Sequence, residues 1–383
     1  MAANETVLTN ATLVLPDEIT SGTVVLRDEV IVDVQPRSTS VGSAQDIGGD
    51  YLMPGIVELH TDHLEAHYHP RPGVRWHPVS AALAHDAQII AAGITTVLDA
   101  VCVGTPWESG RRTADDATTM IEALADAEKR GLMRSEHHLH LRCEIVAEDV
   151  IELAEKFAAN PEVRLISVMD HTPGQRQFVK LEKFREYYSG KAGMSDADID
   201  NMIRYRLDQQ AKIAAPNRRH IVELARQNGI PLASHDDATV AHVDEALGEG
   251  AAISEFPTTA DAAAHAHSHG LAVLMGAPNV VRGGSHSGNV SAGDLAASGQ
   301  LDILSSDYVP SSLLLAVFQL AEADNDFDLV SAAKLVSETP AKAAGMADRG
   351  RLEPGMRGDL IHVHHAGDVT AVRGAWVKGE RRL

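Results

Sequence analysis

Two kinds of hydrophobic pattern divide the chain. At the N-terminus, Thr6 to Leu15, Gly22 to Arg27 and Val30 to Val34 alternate apolar and polar residues with turn residues between them, as short antiparallel strands do. Asp359 to His364 and Ala375 to Lys378 repeat this character near the C-terminus, so strands from both ends are expected to pair in one small β domain of residues 1–53 and 346–383. Between them, residues 54–345 alternate short apolar runs with Ala-rich helical stretches, the signature of repeated βα units around a parallel sheet.

The apolar runs are Ile56 to Leu59, Ile94 to Leu98, His138 to Cys143, Val163 to Met169, Pro231 to Ser234, Ala252 to Phe256, Leu271 to Met275 and Leu301 to Ser305. Eight such runs predict an α/β fold with a (β/α)8 barrel of the TIM type. An open doubly wound sheet is the structural alternative. No Gly-x-Gly-x-x-Gly follows the first run, so nothing supports a dinucleotide site.

In such barrels the chemistry sits where strands end. His60 and Asp62 close the first run, Glu144 the third, Asp170 and His171 the fourth, His235 to Asp237 the fifth, and Asp307 the eighth. Each alone reads as a structural or capping residue. Together they converge on one rim, and metal binding is the simplest chemistry for such a set. His60 and Asp62, two apart in extended chain, face one side, whereas His63 faces the other. The expected ligands are therefore His60, Asp62, Glu144, His171, His235 and Asp307, holding one or two divalent ions. Zn2+ suits the imidazoles, with Mn2+, Fe2+ or Ni2+ as alternatives; Glu144 is placed to bridge two ions and Asp307 to take a proton from an attacking water. His67, His69, His77 and His85 read as loop or helix residues without a ligand role.

Charge narrows the function. The 383 residues carry 33 Lys and Arg against 54 Asp and Glu, a net charge of −21, which disfavours nucleic acid and anionic membrane surfaces as partners. An anionic substrate then needs a local basic site. Asn279, Arg282, Ser285 and His286, interleaved with glycines after the seventh run, form the expected phosphate-binding loop. Residues 176–219 hold ten Lys or Arg against six Asp or Glu and five of the fifteen aromatics, which fits either a solvated helical hairpin or a lid over an anionic substrate. The opening residues lack the basic and apolar regions of a signal peptide, no apolar run approaches membrane length, and the two cysteines are too few for a disulfide framework. A cytoplasmic location is expected, and a homo-oligomer is left open.

Longer motifs carry a resemblance. Met53-Pro-Gly-Ile-Val-Glu-Leu-His60 ahead of the barrel and Gly350-Arg-Leu-Glu-Pro-Gly-Met-Arg-Gly-Asp-Leu360 near the end resemble the amidohydrolase superfamily. His60-Thr-Asp-His-Leu-Glu65, Met169-Asp-His-Thr-Pro-Gly-Gln175, Ser234-His-Asp-Asp-Ala-Thr239, Glu255-Phe-Pro-Thr-Thr259 and Gly276 to Asn289 are similar, more narrowly, to the ribose 1-methylphosphonate 5-triphosphate diphosphatases of the carbon–phosphorus lyase pathway. The resemblance implies hydrolysis of a small phosphorylated sugar, the 5-triphosphate, to the 5-phosphate and pyrophosphate. This chain departs from the wider superfamily in two respects. His60-Thr-Asp62 replaces the usual His-x-His pair, and the later histidines follow strands four and five rather than five and six. Either a strand is uncounted or the ligand set differs, with Glu255 as an alternative ligand. The competing functions are a metal-dependent amide or cyclic amide hydrolase, which needs no phosphate loop, and a noncatalytic scaffold, which needs no ligands.

Overall fold

The computed structural model describes residues 5–104, 113–174, 176–178, 181–192, 194–285, 288–323 and 327–383. Its first sheet joins both chain ends. Strands β1 (Glu5–Val14), β2 (Ile19–Arg27), β3 (Val30–Gln35), β4 (Gln45–Asp46) and β5 (Tyr51–Pro54) are followed, after the barrel, by β14 (Leu360–Ala366), β15 (Val369–Val377) and β16 (Glu380–Arg381). The order is β16-β15-β14-β5-β1-β2-β3, with β4 beside β1. Most pairs are antiparallel, while β1 runs parallel to β4 and β5. Leu8, Leu13, Leu26, Ile31, Leu52, Leu360 and Trp376 form the core of this sheet, as the alternating pattern requires.

All eight apolar runs are strands of the second sheet: β6 (Ile56–Thr61), β7 (Ile94–Val103), β8 (Glu136–Glu144), β9 (Val163–Met169), β10 (Leu232–His235), β11 (Ile253–Glu255), β12 (Ala272–Gly276) and β13 (Ile303–Ser305). They pair in parallel and in sequence order from β6 to β13. Every residue of β6 is buried, because helices cover the outside while side chains fill the inside. Val57, Leu59, Leu98, Leu165, Ala233, Ile253, Leu274 and Ile303 pack the interior. Strand β8 contributes instead His140, whose Nδ1 meets Leu59 O at 2.9 Å and whose Nε2 meets Ser167 Oγ at 2.9 Å. Among the described residues between β9 and β10 no strand occurs, only helices and their connections, so the eight strands counted from the sequence make up the described barrel.

The barrel closes at one place. Thr61 bridges Asp307, with Asp62 N–H donating to Asp307 O (2.8 Å) and Asp307 N–H to His60 O (3.1 Å). Just below, the seam is filled by the Glu58 carboxyl, which accepts the backbone N–H groups of His60 and Ser306, each at 2.6 Å. Burial pushes Glu58 up to about 7. At the start of β6, Gly55 is obligatory, since a Cβ there would lie 2.2 Å from Thr95 Oγ1.

Helices α1 (His63–Tyr68) and α2 (Pro78–Ala91) lie between β6 and β7, α3 (Ala114–Lys129) follows β7, and α4 (Val150–Ala158) follows β8. The basic stretch after β9 forms α5 (Leu181–Ala192), α6 (Asp196–Gln209) and, through a π-turn, α7 (Ala215–Asn228). Phe184, Tyr188, Ile199, Met202 and Ile203 give it a core of its own. The two sheets are joined through Glu136, which receives Arg357 Nη1 (2.6 Å), Lys378 Nζ (3.0 Å) and Arg349. No helix among the described residues is long and apolar enough to cross a membrane.

Candidate metal centre

Closure of the barrel brings His60, Asp62 and Asp307 together, one ligand atom from each lying within 4.8 Å of the others. Their backbone hydrogen bonds across the seam fix this meeting. A register slip between Glu58 and Thr61 turns His60 into the barrel directly after Leu59, and Asp307 adopts a left-handed φ of 54°. Arg142 of β8 donates to Asp62 Oδ1.

Across the mouth, His171, His235 and Asp236 form a second triad. Asp236 Oδ2 lies 3.7 Å from His171 Nε2 and 3.5 Å from His235 Nε2. This oxygen is buried and has no hydrogen-bond partner among the described residues, a costly state for a carboxylate unless a cation compensates it. Adjacent residues of an extended strand face opposite ways, so Asp236 joins His235 only because its own φ is 55°. That turn is what the sequence reading of the fifth strand end lacked.

The imidazoles share one arrangement. Glu255 at the end of β11 meets His60 Nδ1 through Oε1 and His235 Nδ1 through Oε2, both at 3.1 Å. Glu144 meets His171 Nδ1 at 2.5 Å and also accepts the His171 backbone N–H at 3.3 Å. Each Nδ1 is thus held by a buried carboxylate, and each Nε2 faces Asp62 or Asp236. A carboxylate behind an imidazole fixes its tautomer and leaves the other nitrogen as a lone-pair donor. Glu144 therefore stands beside His171 in this structure, and Glu255 occupies the place between two histidines.

The site is rich in negative charge. Burial disfavours an imidazolium at His60, yet Glu255 and Asp62 outweigh it and lift His60 to about 10. Burial likewise opposes charge at Glu255, but His140 and His60 hold it well below the usual carboxylate range. Burial is again outweighed at His171, which Glu144 and Asp236 raise. These carboxylates can be balanced by taking up protons or, equally, by a divalent cation, and the mixed imidazole and carboxylate donors suit a borderline ion.

The basic stretch contributes two arginines to this rim. Arg206 Nη1 donates to His171 O at 3.0 Å, its guanidinium lying over Phe184 and Tyr188, and Arg176 Nη1 donates to His235 O at 3.1 Å and to Asp237 Oδ1 at 2.8 Å. Both charges are engaged in holding the loops that carry histidines. This anchoring role stands beside the solvated hairpin and the lid of the two sequence readings, and both arginines lay hidden among the stretch's ten basic residues.

The expected phosphate loop is placed in part. Arg282 ends a short helix, Ala277–Arg282, with its side chain exposed, and Ser285 is partly buried. Asn279 is a loop tie, its Oδ1 accepting Ala292 N–H at 3.0 Å and its Nδ2 donating to Val290 O at 3.4 Å. His286 lies outside the described residues.

No family model matches the chain. Its fold is shared with N-acetylglucosamine-6-phosphate deacetylase from Pasteurella multocida (TM-score 0.65, 13% identity, 99% of each chain) and with a 5-methylcytosine deaminase from Klebsiella pneumoniae (TM-score 0.65, 15% identity, 98% of each chain). In sequence it is 46% identical over 376 residues to the alpha-D-ribose 1-methylphosphonate 5-triphosphate diphosphatase of Escherichia coli strain K12, a match covering 98% of this chain and 99% of the relative. On that near full-length identity, the chain belongs to the alpha-D-ribose 1-methylphosphonate 5-triphosphate diphosphatase family.

Proposed function

We propose that this protein hydrolyses alpha-D-ribose 1-methylphosphonate 5-triphosphate to the 5-phosphate and pyrophosphate, using divalent metal at the barrel mouth. The observation that carries the reading is the shared pose of His60, His171 and His235, each with Nδ1 held by a carboxylate and Nε2 turned toward an aspartate. His60, Asp62 and Asp307 would hold one ion and His171, His235 and Asp236 the other, Zn2+ being the expected metal. Such ions, when bound, supply a Lewis acid for phosphoryl oxygens and sharpen the acidity of a nearby water.

The chain's own residues do the rest. Asp307, at the closing seam, accepts the proton of the attacking water, and Glu144 and Glu255 keep the imidazoles in one tautomer. Arg142 orients Asp62, while Arg176 and Arg206 fix the backbone on which His235 and His171 stand. Arg282 and Ser285, on the loop after the seventh barrel strand, are assigned to the phosphate tail. Attack falls on the α-phosphorus, the bond to the bridging oxygen breaks, and pyrophosphate leaves with its charge.

Hydrolysis in heavy-oxygen water tests this. The label should enter the sugar 5-phosphate, and pyrophosphate should appear without stepwise monophosphate. Label confined to pyrophosphate would move the attack to the β-phosphorus. Turnover of cyclic amides with none of triphosphates would overturn the assignment.

A further inference from the structure

Behind the rim, on the outer side of the first strands, stands a separate group of imidazoles. His63 and His67, four residues apart on α1, share one helical face, and His85 of α2 comes to meet them. One nitrogen from each lies within 4.8 Å of the other two. His63 Nδ1 and His85 Nδ1 are 3.4 Å apart, and the His63 and His67 ring centroids are 4.8 Å apart. His67 Nε2 is buried and makes no hydrogen bond among the described residues, with Gln88 as the polar neighbour of the ring.

The third imidazole is backed as a metal ligand would be. His85 Nε2 meets Asp99 Oδ1 at 2.6 Å, so that Nε2 carries the proton and Nδ1 presents its lone pair toward His63. Asp99 is itself fixed: Oδ2 meets His137 Nδ1 at 2.7 Å, His137 Nε2 meets Asp86 at 3.4 Å, and Asp86 accepts the backbone N–H groups of Arg134 and Ser135 at 2.9 Å. On β7, Leu98 points into the barrel, so Asp99 points out into the helix layer and away from the rim.

We propose that His63, His67 and His85 form a second site for a divalent transition ion of the Zn2+ class, separate from the barrel mouth. Nitrogens bound at about 2.0–2.1 Å to a tetrahedral ion stand about 3.3–3.4 Å apart, the spacing of His63 and His85. A plain N–H···N hydrogen bond would give the same spacing for that pair, but it leaves His67 Nε2 buried without a hydrogen-bond partner among the described residues, Gln88 being the polar side chain beside the ring. The ion pins α1, which begins one residue after Asp62, to α2 and through Asp99 to the barrel wall.

Metal analysis of the purified holoenzyme, grown with zinc and freed of loose ions, tests the site. Wild type should hold one more equivalent per chain than His67→Gln or His63→Gln. His235→Ala should lose rim metal yet keep this equivalent, and after Co2+ replacement it should show the strong visible absorption of a tetrahedral ion, lost on adding His67→Gln. Equal metal in wild type and both glutamine variants would overturn the proposal. If those variants fail to fold, absence of the Co2+ band from His235→Ala protein would overturn it equally. Because retention of all metal by His235→Ala would strike only the rim reading, the two failures are distinguishable.

Discussion

The two histidine clusters differ less in their imidazoles than in what surrounds them. At the barrel mouth every imidazole has a carboxylate behind it, and Asp62, Asp236 and Asp307 join as further donors. In the cluster on α1 and α2, among the described residues only His85 is so backed, and no carboxylate belongs to the cluster itself. A mixed anionic set offsets the charge of two ions held close together and leaves room for phosphate oxygens. Three neutral imidazoles offset nothing, which suits a single ion with a fastening role. Strand ends and positive-φ turns build the first cluster, whereas helix periodicity builds the second.

The largest effect should come from breaking the mouth. His235→Ala removes a donor to the second triad and leaves Asp236 and Glu255 uncompensated, so kcat/KM should fall on the order of 10⁴-fold as water returns toward its bulk acidity. His67→Gln should leave turnover within a few-fold. Similar losses in both variants would abolish the distinction between the clusters.

Loss of metal has to be separated from loss of fold, and Glu136→Gln provides that contrast. Burial alone would raise Glu136, but His138, Arg357 and Arg349 hold it far below the usual range. Because the folded carboxyl ionises at lower pH than the unfolded one, it stabilises the protein above about pH 4.5, and that contribution drains away as pH falls. Denaturant unfolding at neutral pH should show a loss of about 3 kcal/mol in Glu136→Gln, with Arg349 and Arg357 left without their shared partner. The variant's stability should then vary less than wild type's on acidification, and its metal content should be unchanged.

Orienting carboxylates give a matched pair. Glu144→Gln should weaken metal at the mouth by about 10–100-fold, and Asp99→Asn should do the same at the second cluster. Equilibrium competition with a chelator reads both. Each change should leave the other cluster's affinity alone.

The strands were legible because parallel strands buried on both faces leave short apolar runs between helical stretches, as Val163 to Met169 does. His60 and Asp307 were legible because they end such runs. Asp236 was visible at a strand end but not as a donor, since only a left-handed turn brings it beside its neighbour. Glu255 stood at a strand end too, yet its place between His60 and His235 depends on how β11 sits opposite β6, across the barrel. His85 read as one helical residue among many, for nothing local announces that Asp99, fourteen residues on, will face it. Arg176 and Arg206 were visible as charge but not as partners, because a backbone carbonyl acceptor leaves no trace in sequence.

The smallest effect concerns recognition. With a net charge of −21, the chain must gather positive charge where a triphosphate lands, and Arg176 and Arg206 are already engaged with backbone carbonyls and carboxylates. Arg282 is exposed at the end of its short helix, on the loop that follows the seventh barrel strand. A charge-assisted hydrogen bond lost there costs about 1.5 kcal/mol, so Arg282→Ala should raise KM for the triphosphate roughly tenfold with kcat little changed. Added salt should narrow the gap between variant and wild type, because an exposed charge is screened. Steady-state kinetics at two ionic strengths decide the matter: an unchanged KM would remove Arg282 from the site, and a fall confined to kcat would move its role from holding the tail to stabilising the departing pyrophosphate.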